Sequence, residues 1–126
     1  MLPADYSALA VTRIEGRTRL TVLGWTGRQH AAVDVLYVLV RNALDHGTTP
    51  AAETIGVRLV VTSSELLIDV SDSNPEFPEF ERAVRGELGR GLWAVRNTGA
   101  VVTFLPSDKG DGKVVRATLR TGPVEP

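Results

Sequence analysis

Apolar residues recur with two different periods along this chain, and the switches between them mark its elements. In VTRIEGRTRLTVLG (11–24) the residues Val11, Leu20 and Val22 favour strands and flank a glycine, which predicts two short strands around a Glu15-Gly16 turn. From Gln29 to His46 the spacing becomes helical, with Ala32, Val35, Leu36, Leu39 and Ala43 at steps of three and four, and Gly47 ends the helix. A threonine, proline and alanine loop then leads to IGVRLVVT and LLIDVSD, two strands parted by Ser63, Ser64 and Glu65.

The next stretch, SNPEFPEFERAVRGELGRG, has weak periodicity, two prolines and three glycines. It predicts an irregular connection with one helical turn near 79–85, the kind of segment from which functional lids are drawn. GLWAVRNTG reads as a short helix opened by Gly91 and closed by Gly99, and strand VVTFLP, turn SDKGDGK and strand VVRATLRT follow. Strands in hairpin pairs with helices between them predict an α+β fold, a two-layer sandwich with a mostly antiparallel sheet and its helices on one face. No repeat or second domain is legible, so one domain spans 1–126, with N-terminal strands in 1–28.

Composition narrows the function more than the fold. A chain of 126 residues buries roughly two thirds of its unfolded surface. Its 43% hydrophobic and 23% charged residues leave little room for extended disorder, and a net charge of -1 argues against nucleic acid or an anionic membrane as partner. There is no cysteine, which excludes disulfides, thiolate zinc sites and cysteine nucleophiles. The start, MLPADYSALA, lacks the basic and apolar regions of a leader, and no apolar run approaches a membrane span, so a cytoplasmic address is expected.

Three islands carry candidate chemistry. Asn42, Asp45 and His46 share a helix stripe with Val38, one turn before Asn42; the plain alternative is a polar helix end with His46 at the C-terminal dipole. Asp72 follows a strand in IDVSDSNPEFP, either as an Asx turn or as a carboxylate accepting a hydrogen bond from an exocyclic amine. Gly86, Gly89 and Gly91 run into a helix with Arg90 among them, either as a hinge or as a phosphate-facing turn. Elsewhere, His30 and His46 have no acidic partner at ligand spacing, SDKGDGK lacks a calcium loop's alternating ligands, and Trp25 and Trp93 read as packing residues.

Together the islands VLVRNALDH, VSDSN, GRGLWAV and GKVV resemble the GHKL ATPase superfamily, the Bergerat nucleotide-binding fold. They are most similar to small actinobacterial proteins related to anti-sigma-factor serine/threonine kinases, whose islands run E-L-V-x-N-A-x-x-H, V-x-D-x-G, G-R-G-L-x-x-V and G-K-x-V. The resemblance covers about 35–119. It implies ATP and magnesium as cofactors, with Asn42 as the magnesium ligand and Asp72 on the adenine amine. It also implies an ATP lid over 73–90, with Gly89, Arg90, Gly91 and Leu92 facing the phosphates, Asp45 and His46 bordering the site, and Lys113 near the last strand.

Two departures change the expectation. The family's glutamate, four residues before the asparagine, falls at Val38, which cannot accept a proton. In the first glycine box Asn74 replaces a glycine; asparagine accepts left-handed backbone better than most residues, which keeps a nucleotide contact open there. The implied function is an ATP- or ADP-binding regulatory module of anti-sigma or partner-switching type with weak or absent phosphotransfer. Its partner would be a sigma factor or an anti-anti-sigma-like protein, with no nucleic acid or membrane and with a homodimer as an option. The alternatives are an active serine/threonine kinase using Asp34 or Glu87, and a nucleotide-free interaction scaffold.

Overall fold

The computed structural model describes residues 2–3, 7–47, 54–74, 80, 85–86, 91–106 and 112–120, with 2, 3, 46, 47 and 54 by backbone alone. The elements are β1 (Leu2–Pro3), α1 (Ser7–Val22), α2 (Gln29–Asn42) running into a π-helical turn (Ala43–Gly47), β2 (Thr54–Val61), β3 (Glu65–Asp72), α3 (Gly91–Asn97), β4 (Val101–Pro106) and β5 (Lys113–Arg120). Their sheet has the order β1-β2-β3-β5-β4 with every pairing antiparallel. Four full strands make it, and the two residues of β1 extend one edge. This is the expected two-layer α+β sandwich.

The N-terminal strands expected in 1–28 are a correction. Apart from Leu2–Pro3 the segment VTRIEGRTRLTV is helical, inside α1. The β preference of Val11, Leu20 and Val22 is worth at most about 1 kcal/mol per position and gives way to packing. Ala8, Thr12, Gly16 and Leu20, spaced by four, form one buried stripe, and α1 packs along α2. Gly16 allows that approach, because a Cβ there would stand 2.9 Å from Leu36 Cδ2. Glycine therefore serves as a helix contact, at a cost of about 1 kcal/mol in helix propensity.

The remaining elements lie where the periodicity places them. Ala32, Val33, Val35, Leu36, Leu39 and Val40 bury one side of α2, each large aliphatic contributing about 1.5–3 kcal/mol. After Asn42 the expected helix changes to a π-turn, whose Ala43 and Leu44 stay buried. The hairpin between β2 and β3 closes on Thr62, whose N–H donates to Glu65 O at 2.8 Å and whose Oγ1 accepts from Glu65 N at 3.0 Å.

Strand alternation sorts β3 into two faces. Leu66, Ile68, Val70 and Asp72 point toward the helices, beside Leu119, Ala117, Val115 and Lys113 of β5. On the other face Asp69 lies opposite Arg116, which clasps it through Nε at 2.7 Å and Nη2 at 2.9 Å. Both tryptophans pack: Trp25 is in the core, and Trp93 is half-buried against Gly86. Phe80, inside the stretch expected to be a lid, rests on Phe104 of β4 with ring centroids 4.8 Å apart.

Candidate functional site

The helix-facing side of the sheet is apolar except at one end. In the register of β3 and β5 the pairs Leu66/Leu119, Ile68/Ala117 and Val70/Val115 are followed by Asp72/Lys113. The side chains of this last pair are 0% and 2% exposed. A charge buried so deeply is retained only with a partner, because desolvation costs several kcal/mol per ion. Lys113 Nζ donates to Asp72 Oδ1 and to the Asn74 carbonyl, each at 3.1 Å. The Asn74 N–H donates to the same Oδ1 at 3.0 Å. Burial pushes the Asp72 carboxyl above its ordinary range, while the Lys113 hydrogen bond, the Asn74 N–H and the Lys113 charge pull it back.

The other carboxylate oxygen is the unusual atom. Asp72 Oδ2 lies 3.0 Å from Lys113 Nζ but outside hydrogen-bonding geometry, and it has no hydrogen-bond partner among the described residues. The Asx-turn reading of Asp72 holds through Oδ1, while Oδ2 is a buried acceptor with no partner in hydrogen-bonding geometry among the described residues. The close approach of β5 depends on Gly112, where a Cβ would collide with the Asp72 carbonyl oxygen.

The other islands lie on the helices. The π-turn packs against β3, and α2 packs against α3. Asn42, the last residue of α2, is half-buried. Val38, one turn earlier, packs on the core, and a Cβ on Gly91 at the start of α3 would lie 3.4 Å from its Cγ1. At the position expected of a base there is therefore an aliphatic contact between two helices. Asp45 is exposed and faces Arg41, with Nε 3.6 Å from Oδ2, and the backbone of His46 continues the same turn. Leu92 is 3% exposed and belongs to the core, so the backbone is what it has to offer a ligand. Gly89, Arg90 and Glu87 lie outside the described residues, as does most of the lid expected over 73–90.

Asp34, the other acid weighed as a replacement base, has a structural engagement. Arg13 Nη1 reaches its Oδ1 at 2.7 Å, His30 Nε2 lies 3.5 Å from Oδ2, and the Arg13 guanidinium stacks 4.3 Å from the Tyr37 ring centroid. It ties α1 to α2. Among the described residues no three His, Cys, Asp or Glu side chains gather into a metal-binding cluster. A groove of about 560 Å³ between α1 and β2, bounded by Gly16, Leu36, Val57 and Leu59, includes none of the site residues above. Among the described residues, no helix is long and apolar enough to cross a membrane.

Sequence reasoning placed Lys113 near the last strand without a role, and the structure makes it the counter-ion of Asp72. Residues 41 positions apart meet only through strand register. A lysine two residues before Val115, on the strand face that Val115, Ala117 and Leu119 make apolar, was the available signal.

No family model matches the chain, and no curated protein does. Among solved structures the chain is similar to the Acinetobacter baumannii histidine kinase AdeS, with a TM-score of 0.61 and 14% identity over 94% of this chain. It spans 66% of that protein's chain, slightly under two thirds. At that identity the likeness is one of fold alone.

Proposed function

We propose that this chain is a nucleotide-binding regulatory module of anti-sigma or partner-switching type, which takes ATP or ADP with magnesium and transfers phosphate weakly or not at all. The observation that carries the reading is Asp72 Oδ2, a buried acceptor with no partner in hydrogen-bonding geometry among the described residues. It suits an exocyclic amine, and hydrogen bonds to charged groups contribute about 1.5–3 kcal/mol. Asn42 would hold magnesium, which supplies positive charge to the phosphates; a site with few protein ligands fits an ion that keeps its waters and shares the substrate's oxygens. Gly89, Arg90, Gly91 and the Leu92 backbone would meet the phosphates, with Asp45 and His46 at the margin and Asn74 near the base.

The catalytic half of the family's chemistry is what Val38 removes. Asp34 is held by Arg13 on the α1 side, which counts against the active-kinase alternative. Ile14 and Val22 of α1 are 72% and 78% exposed, as suits a chain that binds a protein partner. A sigma factor, an anti-anti-sigma-like protein or a second copy in a homodimer would fit there, in the cytoplasm.

The test is calorimetric titration with ATP and ADP, with and without magnesium. We expect binding in which Asn42→Ala weakens the magnesium-dependent part. Absence of heat and of thermal shift at millimolar nucleotide would sink the reading. Val38→Glu should raise ATP hydrolysis by about 100-fold, the low end of what a positioned general base contributes; no gain would mean that the missing base is not the limiting defect. One observation favours the nucleotide-free scaffold instead, since Asp72 already has an internal cation in Lys113. Nucleotide carried through purification would exclude that alternative.

A further inference from the structure

Lys113 Nζ lies 3.1 Å from Asp72 Oδ1 and 3.0 Å from Oδ2, but only the first contact has hydrogen-bonding geometry. Oδ1 accepts from the Asn74 N–H and the Lys113 ammonium, whereas Oδ2 accepts from neither. The elements packed on β3 are β2, β5, α2 and the π-turn. From β5 the facing charge is Lys113; continuing the register, β2 presents Ile55 opposite Asp72. The end of α2 carries neutral Asn42, and the π-turn carries buried Ala43 and Leu44, exposed Asp45 facing Arg41, and His46. Lys113 is thus the cation in contact with this carboxylate among the described residues.

Resting on the nucleotide reading above, we propose that Lys113 is a positioning residue of the base pocket. It holds Asp72 ionised and clamped through Oδ1, so that Oδ2 is an acceptor only, which selects a base with an exocyclic amine over one with a keto oxygen in the same place. A buried acceptor facing a keto oxygen is left unpaired, which is how a hydrogen-bonding site rejects a near-isostere. Without the ammonium, burial drives the carboxyl to keep its proton to higher pH. A protonated carboxyl donates, and a keto oxygen then becomes a suitable partner.

The experiment compares ADP with IDP, its keto analogue, by calorimetry from pH 5.5 to 8 on the full chain and on Lys113→Met, alongside carbon-13 titration of the Asp72 carboxyl assigned through Asp72→Asn. In the wild type we expect about a tenfold preference for ADP, flat across the range. In Lys113→Met the preference should vanish as pH falls, and Asp72 should titrate at higher pH than in the wild type. An equal loss for both nucleotides at every pH, or an unmoved Asp72 titration, overturns the proposal. If Lys113→Met fails to fold, Lys113→Gln reads the same titration. If neither neutral variant folds, Lys113→Arg decides, with the ADP preference retained in support or lost equally for both nucleotides against. Should the wild type bind neither nucleotide, the nucleotide reading falls, and the Asp72 titration still decides whether Lys113 holds the carboxylate ionised.

Discussion

β3 and β5 carry two acid–base pairs three residues apart, and the pleat sends them to opposite faces of the sheet. Asp69 and Arg116 close on each other completely, two donors on two oxygens at 2.7 and 2.9 Å, and the contact raises the hold of Arg116 on its proton. Asp72 and Lys113 are no less buried, yet Oδ2, 3.0 Å from the ammonium, has no partner in hydrogen-bonding geometry among the described residues. A planar guanidinium matches a carboxylate through two parallel bonds, whereas an ammonium is a point donor that engages one oxygen well. The same two strands therefore hold one finished pair, which serves the sheet, and one unfinished pair, which has an acceptor to spare.

The comparison breaks first on stability. Lys113→Met leaves a buried carboxylate without its cation, and urea unfolding should show a loss of about 3–5 kcal/mol at neutral pH. Arg116→Met, on the face where the arginine side chain is 34% exposed, should cost about 1–3 kcal/mol. Equal losses would mean that the two pairs are both structural. On ligand binding the contrast should be sharper, with Asp72→Asn lowering ADP affinity about tenfold or more while Asp69→Asn leaves it unchanged in the same titration.

Titration separates the pairs by sign. The folded-state value of Asp72 is raised above its ordinary 3.8, so between the two values the folded protein binds more protons than the unfolded one. Its contribution to stability is then greatest below pH 3.8 and declines as pH rises through the folded value. Unfolding free energies of wild type and Asp72→Asn, measured across that window, should converge or cross in that direction; a contribution that grows with pH would contradict the burial argument. The smallest expected effect is at the rim, where Asp45→Ala removes the exposed 3.6 Å contact with Arg41 and should change the unfolding free energy by less than about 0.5 kcal/mol.

Much of the fold was legible because burial imposes a period on α2, β2, β3, β4 and β5 that survives without any knowledge of neighbours. α1 was not. Its buried stripe of Ala8, Thr12, Gly16 and Leu20 contains one large apolar side chain, and its helical state depends on a glycine that fits under Leu36 of another helix. A Glu-Gly pair between β-favouring residues reads as a turn until that second helix is present. The π-turn after Asn42 was also out of reach, since the helical period runs through it unbroken to Ala43.

For the site, the resemblance carried by VLVRNALDH, VSDSN, GRGLWAV and GKVV is what suggested a nucleotide pocket, and Val38 was visible at once as a position that cannot take a proton. What tertiary structure alone decided was the state of each group: that Asp34 pairs with Arg13, that Leu92 lies in the core, and that Lys113 is the counter-ion of Asp72, whose Oδ2 has no hydrogen-bond partner among the described residues. Residue type and spacing determine what chemistry a side chain can offer. Strand register and burial, which join residues 41 positions apart, determine whether that chemistry is already satisfied.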